Sequence, residues 1–312
     1  MNSDNGMPSH PALSDIALEP GDVLLLRSQG PLSDLIAWLS GSAYSHAELY
    51  IGGGVLVEAL AGQGVTYTKL EERLDTDTVS RIDAYHNNCL VDGNDRASVV
   101  AKAKAMVGQH YALDQLVLVG LLMLVEDRQS AHPLLRWVAA AALRHLIEKN
   151  SDGVLCSELV YRCFAEADAQ PAGRLAPAIT LPRPTNTTPF PRDFDWAGLI
   201  RQIQHLITPA SPPRLAAILV AASVTDPVAA ALADLPDADT LTSLRETALD
   251  QLGLDVPHGR EGLLMAASPG VDARLVAPQD FAVSPDMHVL GTLLDRTTAP
   301  PTSVASGEPE PA

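Results

Sequence analysis

Short apolar runs broken by glycine, proline and aspartate fill residues 18 to 90, and each run has the length of a strand. "GDVLLLRS" follows the turn "EPGD" and predicts a β-strand, because Pro-Gly-Asp punctuates the chain and a β-compatible run follows it. "LSDLIAWLSG" sets Leu35, Ile36, Trp38 and Leu39 at helical spacing, with Gly41 as its stop. "SHAELYIGGG" and "GVLVEAL" predict two strands joined through glycines as a hairpin, and "GVTYTKL" and "VSRIDAYH" continue the strand pattern.

From Ala97 the period lengthens to that of a helix. "RASVVAKAKAMVGQHY", "ALDQLVLVGLLMLVEDRQ", "HPLLRWVAAAALRHLIEKN" and "SELVYRCFAEA" predict successive helices, the middle two strongly apolar. Residues 171 to 192 are rich in proline and threonine and predict an extended loop. More helices are expected in "AGLIRQIQHLI", "PPRLAAILVAASV" and "TLTSLRETALDQLG". "PRDFDWAGLI" and "PQDFAVSPDM" echo one another as helix starts capped by Asp193 and Asp280. The expected organisation is a flexible leader over 1–15, a mixed α+β domain over 16–200 with a helical insert at 112–149, a helical extension over 201–295 and a disordered tail over 296–312.

Composition narrows the class. Of 312 residues, 46% are apolar, enough for a sizeable core. The formal net charge of −17 opposes unspecific attachment to nucleic acid, whose phosphates would be repelled. The three cysteines, Cys89, Cys156 and Cys163, are too few and too odd in number for a disulfide framework, which fits a reducing compartment. The polar start lacks the basic and apolar regions of a secretory signal. The most apolar run, "LVLVGLLMLV", is about half the ~20 residues that cross a bilayer. A cytoplasmic protein without a transmembrane segment is therefore expected, with room for peripheral lipid contact.

The candidate chemistry begins at "GVLCSELVY". Cys156 stands where a helix opens, so unpaired amides and the positive end of the helix dipole would draw its thiol toward thiolate. The same amides, that of Cys156 included, could hold a substrate oxyanion. Cys163, two turns further on the same face, reads as core, and Cys89 lies in a polar loop. A thiolate nucleophile needs a base, and the base needs an orienting partner. His46 opens a strand beside Ser45 and can face a cleft, whereas the other histidines fall in helices or in punctuated polar segments.

"PGDVLLLRS", "SHAELYIGGGVLVEAL", "GVTYTKL" and, far downstream, "LCSELVYRCF" resemble the permuted papain-like amidases of the YaeF/YiiX type. That group is a circularly permuted branch of the NlpC cell-wall peptidase superfamily, related to lecithin retinol acyltransferase. The resemblance spans residues 18 to 165. It implies a permuted papain-like (NlpC-type) fold, with a small antiparallel sheet packed on helices and extra C-terminal helices. It also implies the order histidine, acidic residue, cysteine, matched here by His46, Glu58 and Cys156. Antiparallel pairing can bring Glu58 beside His46, but Glu48, on the same strand face as His46, competes for the orienting role. Tyr111 in "GQHYALDQL" resembles a family segment and, with Tyr44 and Ser45, joins the substrate-binding candidates.

The expected activity is thiol-dependent cleavage of an amide or ester through an acyl-enzyme, on a small amide, peptide or acyl-lipid substrate. No metal or other cofactor is expected, since "GGG" at 52–54 closes a hairpin instead of opening a phosphate-binding helix. A fold-retaining scaffold without turnover is the alternative. The histidine and the sulfur are expected to meet at a solvent-reachable groove.

Overall fold

The computed structural model describes residues 16–60, 63–109, 119–122, 132–149, 154–180, 188–207, 227–233, 235–253 and 271–297. It is a mixed α+β structure around one antiparallel six-stranded sheet. In chain order the strands are β1 (Val23–Ser28), β2 (His46–Gly52), β3 (Val55–Leu60), β4 (Gly64–Lys69), β5 (Val79–Asn87) and β6 (Met287–Asp295), arranged β4-β3-β2-β1-β5-β6. The helices are α1 (Pro31–Ser40), α2 (Leu70–Asp75), α3 (Gly93–Met106), α4 (Pro133–Lys149), α5 (Cys156–Ala165), α6 (Trp196–Ile207), α7 (Pro227–Ala233), α8 (Ala238–Leu252) and α9 (Pro278–Val283).

The central place of β1 follows from its sequence. "VLLL" is apolar on both sides of the pleat, and all four residues are buried. Val23 and Leu25 join the cluster beneath α3 and α5, whereas Leu24 and Leu26 join the cluster on the opposite face. Removing either Leu24 or Leu25 should cost ~2–5 kcal/mol, the usual range for a buried leucine truncated to alanine. The hairpin β2–β3 turns through Gly52, Gly53 and Gly54, whose φ angles of 96°, 62° and 73° lie in the left-handed region that favours glycine. A separate apolar cluster joins α1, α4, α6, α7 and α8, filled by alanine and leucine.

Three expectations change. Residues 201–295 are not helical throughout, because β6 pairs with β5 as the sixth strand of the sheet. Two register shifts interrupt β6, and its Gly291 holds φ 149°, where a Cβ would be strained and would press on Ile16 Cδ1 at 2.7 Å. Arg296, expected in the tail, is tied to the fold, because its guanidinium donates to the carbonyls of Leu74, Thr76 and Val79. The cap of α6 is Asp195, accepting from Gly198 N–H at 2.7 Å, and not Asp193. Asp280 does cap, from inside the first turn of α9, by accepting from Ala277 N–H at 2.7 Å. The 1–15 leader, the tail from 298 and much of the 112–149 insert lie outside the described residues. No helix among the described residues is long and apolar enough to cross a membrane.

Candidate active site

Helix α5 begins where its own residues can cap it. Leu155 is extended (φ −70°, ψ 159°), and Glu158 reaches back to accept its N–H at 3.2 Å. Ser157 Oγ donates to Val276 O at 2.5 Å, fastening this first turn to the segment before α9. Cys156 therefore sits on a turn held from two sides. Its own amide is among the helix-start N–H groups that have no intrahelical acceptor.

Against this turn lies the start of β2. Leu26 pairs with His46, and Ser45 seals the corner: its N–H donates to Leu26 O at 2.8 Å, and its Oγ accepts from Ser28 N–H at 3.1 Å. His46 and Cys156 are near enough for each to act on the other's titration, the imidazole lowering the thiol and the thiol raising the imidazole. Burial alone would push the Cys156 thiol up. The adjoining imidazole and the amides of Ala47 and Ser157 outweigh burial and hold the thiol below its usual value. Burial alone would push His46 down, but Cys156, then Glu48 and Glu58, carry it well above its ordinary value. The two directions have one cause, since each group favours the charged form of the other.

His46 Nε2 faces the carboxylates, 2.9 Å from Glu58 Oε2 and 3.5 Å from Glu48 Oε1. Engagement of Nε2 leaves Nδ1 as the ring nitrogen available to the sulfur. Pairing of Leu49 with Val57 makes Glu48 and Glu58, one position along each strand, cross-strand neighbours. Arg73 of α2 bridges them, its Nε 2.7 Å from Glu48 Oε1 and its Nη2 on Glu58 Oε1; Thr68 of β4 also donates to Glu58 Oε1. Both carboxyl groups are wholly buried. Burial would raise Glu58, yet the His46 contact and the Arg73 charge lower it to about 2. Glu48 is driven the other way by burial, and the Glu58 charge adds to the rise, so it reaches about 7.

Arg73 and Thr68 carried no sequence signal as site residues. "EERLD" reads as a solvated charge run, and α2 is too short for its periodicity to register. His46, Glu48 and Glu58 also bring one ligand atom each within 4.8 Å of the others, a donor set of the kind divalent cations use. The guanidinium already holds the cationic position between the two carboxyl groups, so a metal ion would have to displace it.

Of the substrate-binding candidates, Ser45 is buried in the strand-end contacts above. The Tyr44 phenol is buried, donates to Asp83 Oδ2 at 2.5 Å and lies 2.9 Å from the Tyr85 hydroxyl. Both hydroxyls are engaged by these protein contacts. Tyr111 lies outside the described residues. The pair is less open than the expected groove, with Cys156 3% exposed and the His46 side chain 12%.

No protein-family model matches the chain, and no curated protein is significantly similar to it. Among solved structures, the metalloprotein yiiX of Escherichia coli O157:H7, a DUF1105 protein, aligns at 17% identity with a TM-score of 0.32. The alignment covers 48% of this chain and 66%, just under two thirds, of that one. A likeness this slight establishes neither a shared fold nor a shared activity.

Proposed function

We propose that the protein is a thiol-dependent hydrolase or acyltransferase that opens an amide or ester bond through a cysteine acyl-enzyme on a permuted papain-like frame. The observation that carries this reading is the joining of a helix-start thiol to an imidazole whose far nitrogen is held by a buried carboxylate. Chain order agrees with it, since histidine, glutamate and cysteine follow one another as the resemblance implies.

In the proposed cycle His46 Nδ1 takes the Cys156 proton and the sulfur attacks the substrate carbonyl. The oxyanion is met by helix-start amides, that of Cys156 included. The imidazolium then protonates the leaving nitrogen or oxygen as the carbonyl bond to it breaks, leaving a thioester. Water, or a second acceptor in the transferase case, attacks the thioester with His46 again as base, and the proton returns to sulfur. Glu58 keeps Nε2 protonated and stabilises the imidazolium, the duty of the third member in such triads.

The rival reading, a scaffold that keeps the fold without turnover, draws on the near-closure of the thiol. Electrophilic acyl probes separate the two. Wild type is expected to be acylated at Cys156, and Cys156→Ala and His46→Ala are expected to lose the label. Equal labelling of His46→Ala and wild type favours the scaffold.

A further inference from the structure

The acyl-enzyme cycle uses His46, Glu58 and Cys156, yet the site buries two further groups able to carry charge, Glu48 and Arg73. The two carboxyl groups are not equivalent. Both oxygens of Glu58 are engaged, Oε1 by Thr68 Oγ1 and Arg73 Nη2 and Oε2 by His46. Glu48 is 0% exposed, and neither of its oxygens has a formed hydrogen bond among the described residues. Arg73 Nε is 2.7 Å from Oε1, but it too lacks a formed hydrogen bond, so the contact is close and poorly aligned.

Charge balance explains the difference. The thiol and imidazole sum to zero whether the proton sits on sulfur or on nitrogen. Arg73 contributes one positive charge, and a single carboxylate neutralises it. A second carboxylate would leave an unbalanced anion in a water-poor site beside a like charge, which raises one of the two acids.

We propose that Glu48 and Arg73 are positioning residues of this site: Glu48 stands as the uncharged acid, and Arg73 fixes Glu58 as the one carboxylate that orients His46. The opposite directions in which the two glutamates titrate agree with this assignment. The groups facing Glu48 are His46 on its own strand, Glu58 from β3 and Arg73 from α2, with Thr68 of β4 acting through Glu58 and Cys156 of α5 through His46. Alkaline pH would ionise Glu48 and offer the imidazole a second anion, so the orientation toward Glu58 holds best at and below neutrality. Orienting His46 matters for turnover only if the acyl-enzyme reading is right, and to that extent the proposal rests on it.

The test is carboxyl NMR on the full chain labelled with ¹³C-glutamate, the two resonances being assigned by their loss in Glu48→Gln and Glu58→Gln. Glu48 is expected to be protonated at pH 6, and Glu58 to stay ionised down to about pH 4. Arg73→Met is expected to raise the Glu58 midpoint by about one pH unit or more, and Arg73→Lys by less. If Arg73→Met does not fold, Arg73→Lys alone carries the comparison through its smaller upward shift. Two ionised carboxylates at pH 6 overturn the proposal, as does a Glu58 midpoint unmoved by loss of the guanidinium. A purely structural Arg73 would change the melting temperature and leave that midpoint in place. The readout does not involve the thiol, so a wild type that titrates as expected but takes no acyl probe refutes the acyl-enzyme reading alone.

Discussion

The two ends of helix α5 each carry a cysteine, and the two thiols are set in opposite directions. Cys163, near the last turn, is enclosed by apolar neighbours, and burial pushes it up to about 12. Cys156, on the first turn, is also buried, yet it is lowered. Burial is therefore common to both and cannot explain the difference. What differs is the company: an imidazole and the amides of Ala47 and Ser157 at one end, hydrocarbon and the opposing charges of Lys102, Arg162 and Glu166 at the other. A helix start beside a strand start is a place where polar partners converge, and two turns later the same helix is ordinary core.

The contrast can be broken first by alkylation. Iodoacetamide near neutral pH should modify Cys156 at least ~10²-fold faster than Cys163, read by peptide mass spectrometry; comparable rates would erase the distinction. Removing the base should then collapse it from one side. In His46→Ala the Cys156 rate at pH 7 should fall about tenfold or more, because the lowering partner is gone and burial remains. Cys89 supplies the internal control, since it is far from His46 in partners and its thiol is raised mainly by burial.

Stability sharpens the same comparison. Cys163→Ser places a hydroxyl among apolar side chains and should cost ~1–3 kcal/mol in urea unfolding. Cys156→Ser finds His46 and two amides at hand and should cost less than ~1 kcal/mol. The last comparison concerns pH. Because the folded-state Glu48 is raised to about 7, the folded chain holds a proton that the unfolded chain releases near the ordinary glutamate value. Its contribution therefore erodes stability as pH climbs from about 4.5 to about 7, and Glu48→Gln should flatten that part of the profile. Glu58 works in the opposite sense: lowered to about 2, it supports the fold above the ordinary glutamate range and ceases to as acid protonates it.

Much of the site was readable because its residues sit at the ends of strongly patterned elements. The alternation of β2 and β3 and the glycine turn between them put a histidine and two glutamates in one hairpin. The amphipathic run after Cys156 marked a helix start. The sequence left Glu48 and Glu58 as rivals, and Glu58 lies nearer, at 2.9 Å against 3.5 Å from His46 Nε2. Arg73 escaped because one short helix between strands carries no period, and its value depends on what lies beneath it. β6 escaped for a different reason. It is an edge strand with two register shifts and a glycine, so inward and outward positions do not alternate cleanly, and its partner β5 lies far back along the chain. Long-range pairing of that kind leaves little local trace.

Activation of Cys156 by His46 is read from the pH dependence of Cys156 alkylation in the wild-type chain. The expected midpoint lies clearly below the ~8.5 of an ordinary thiol. A midpoint at or above that value, shared with Cys89, would contradict it.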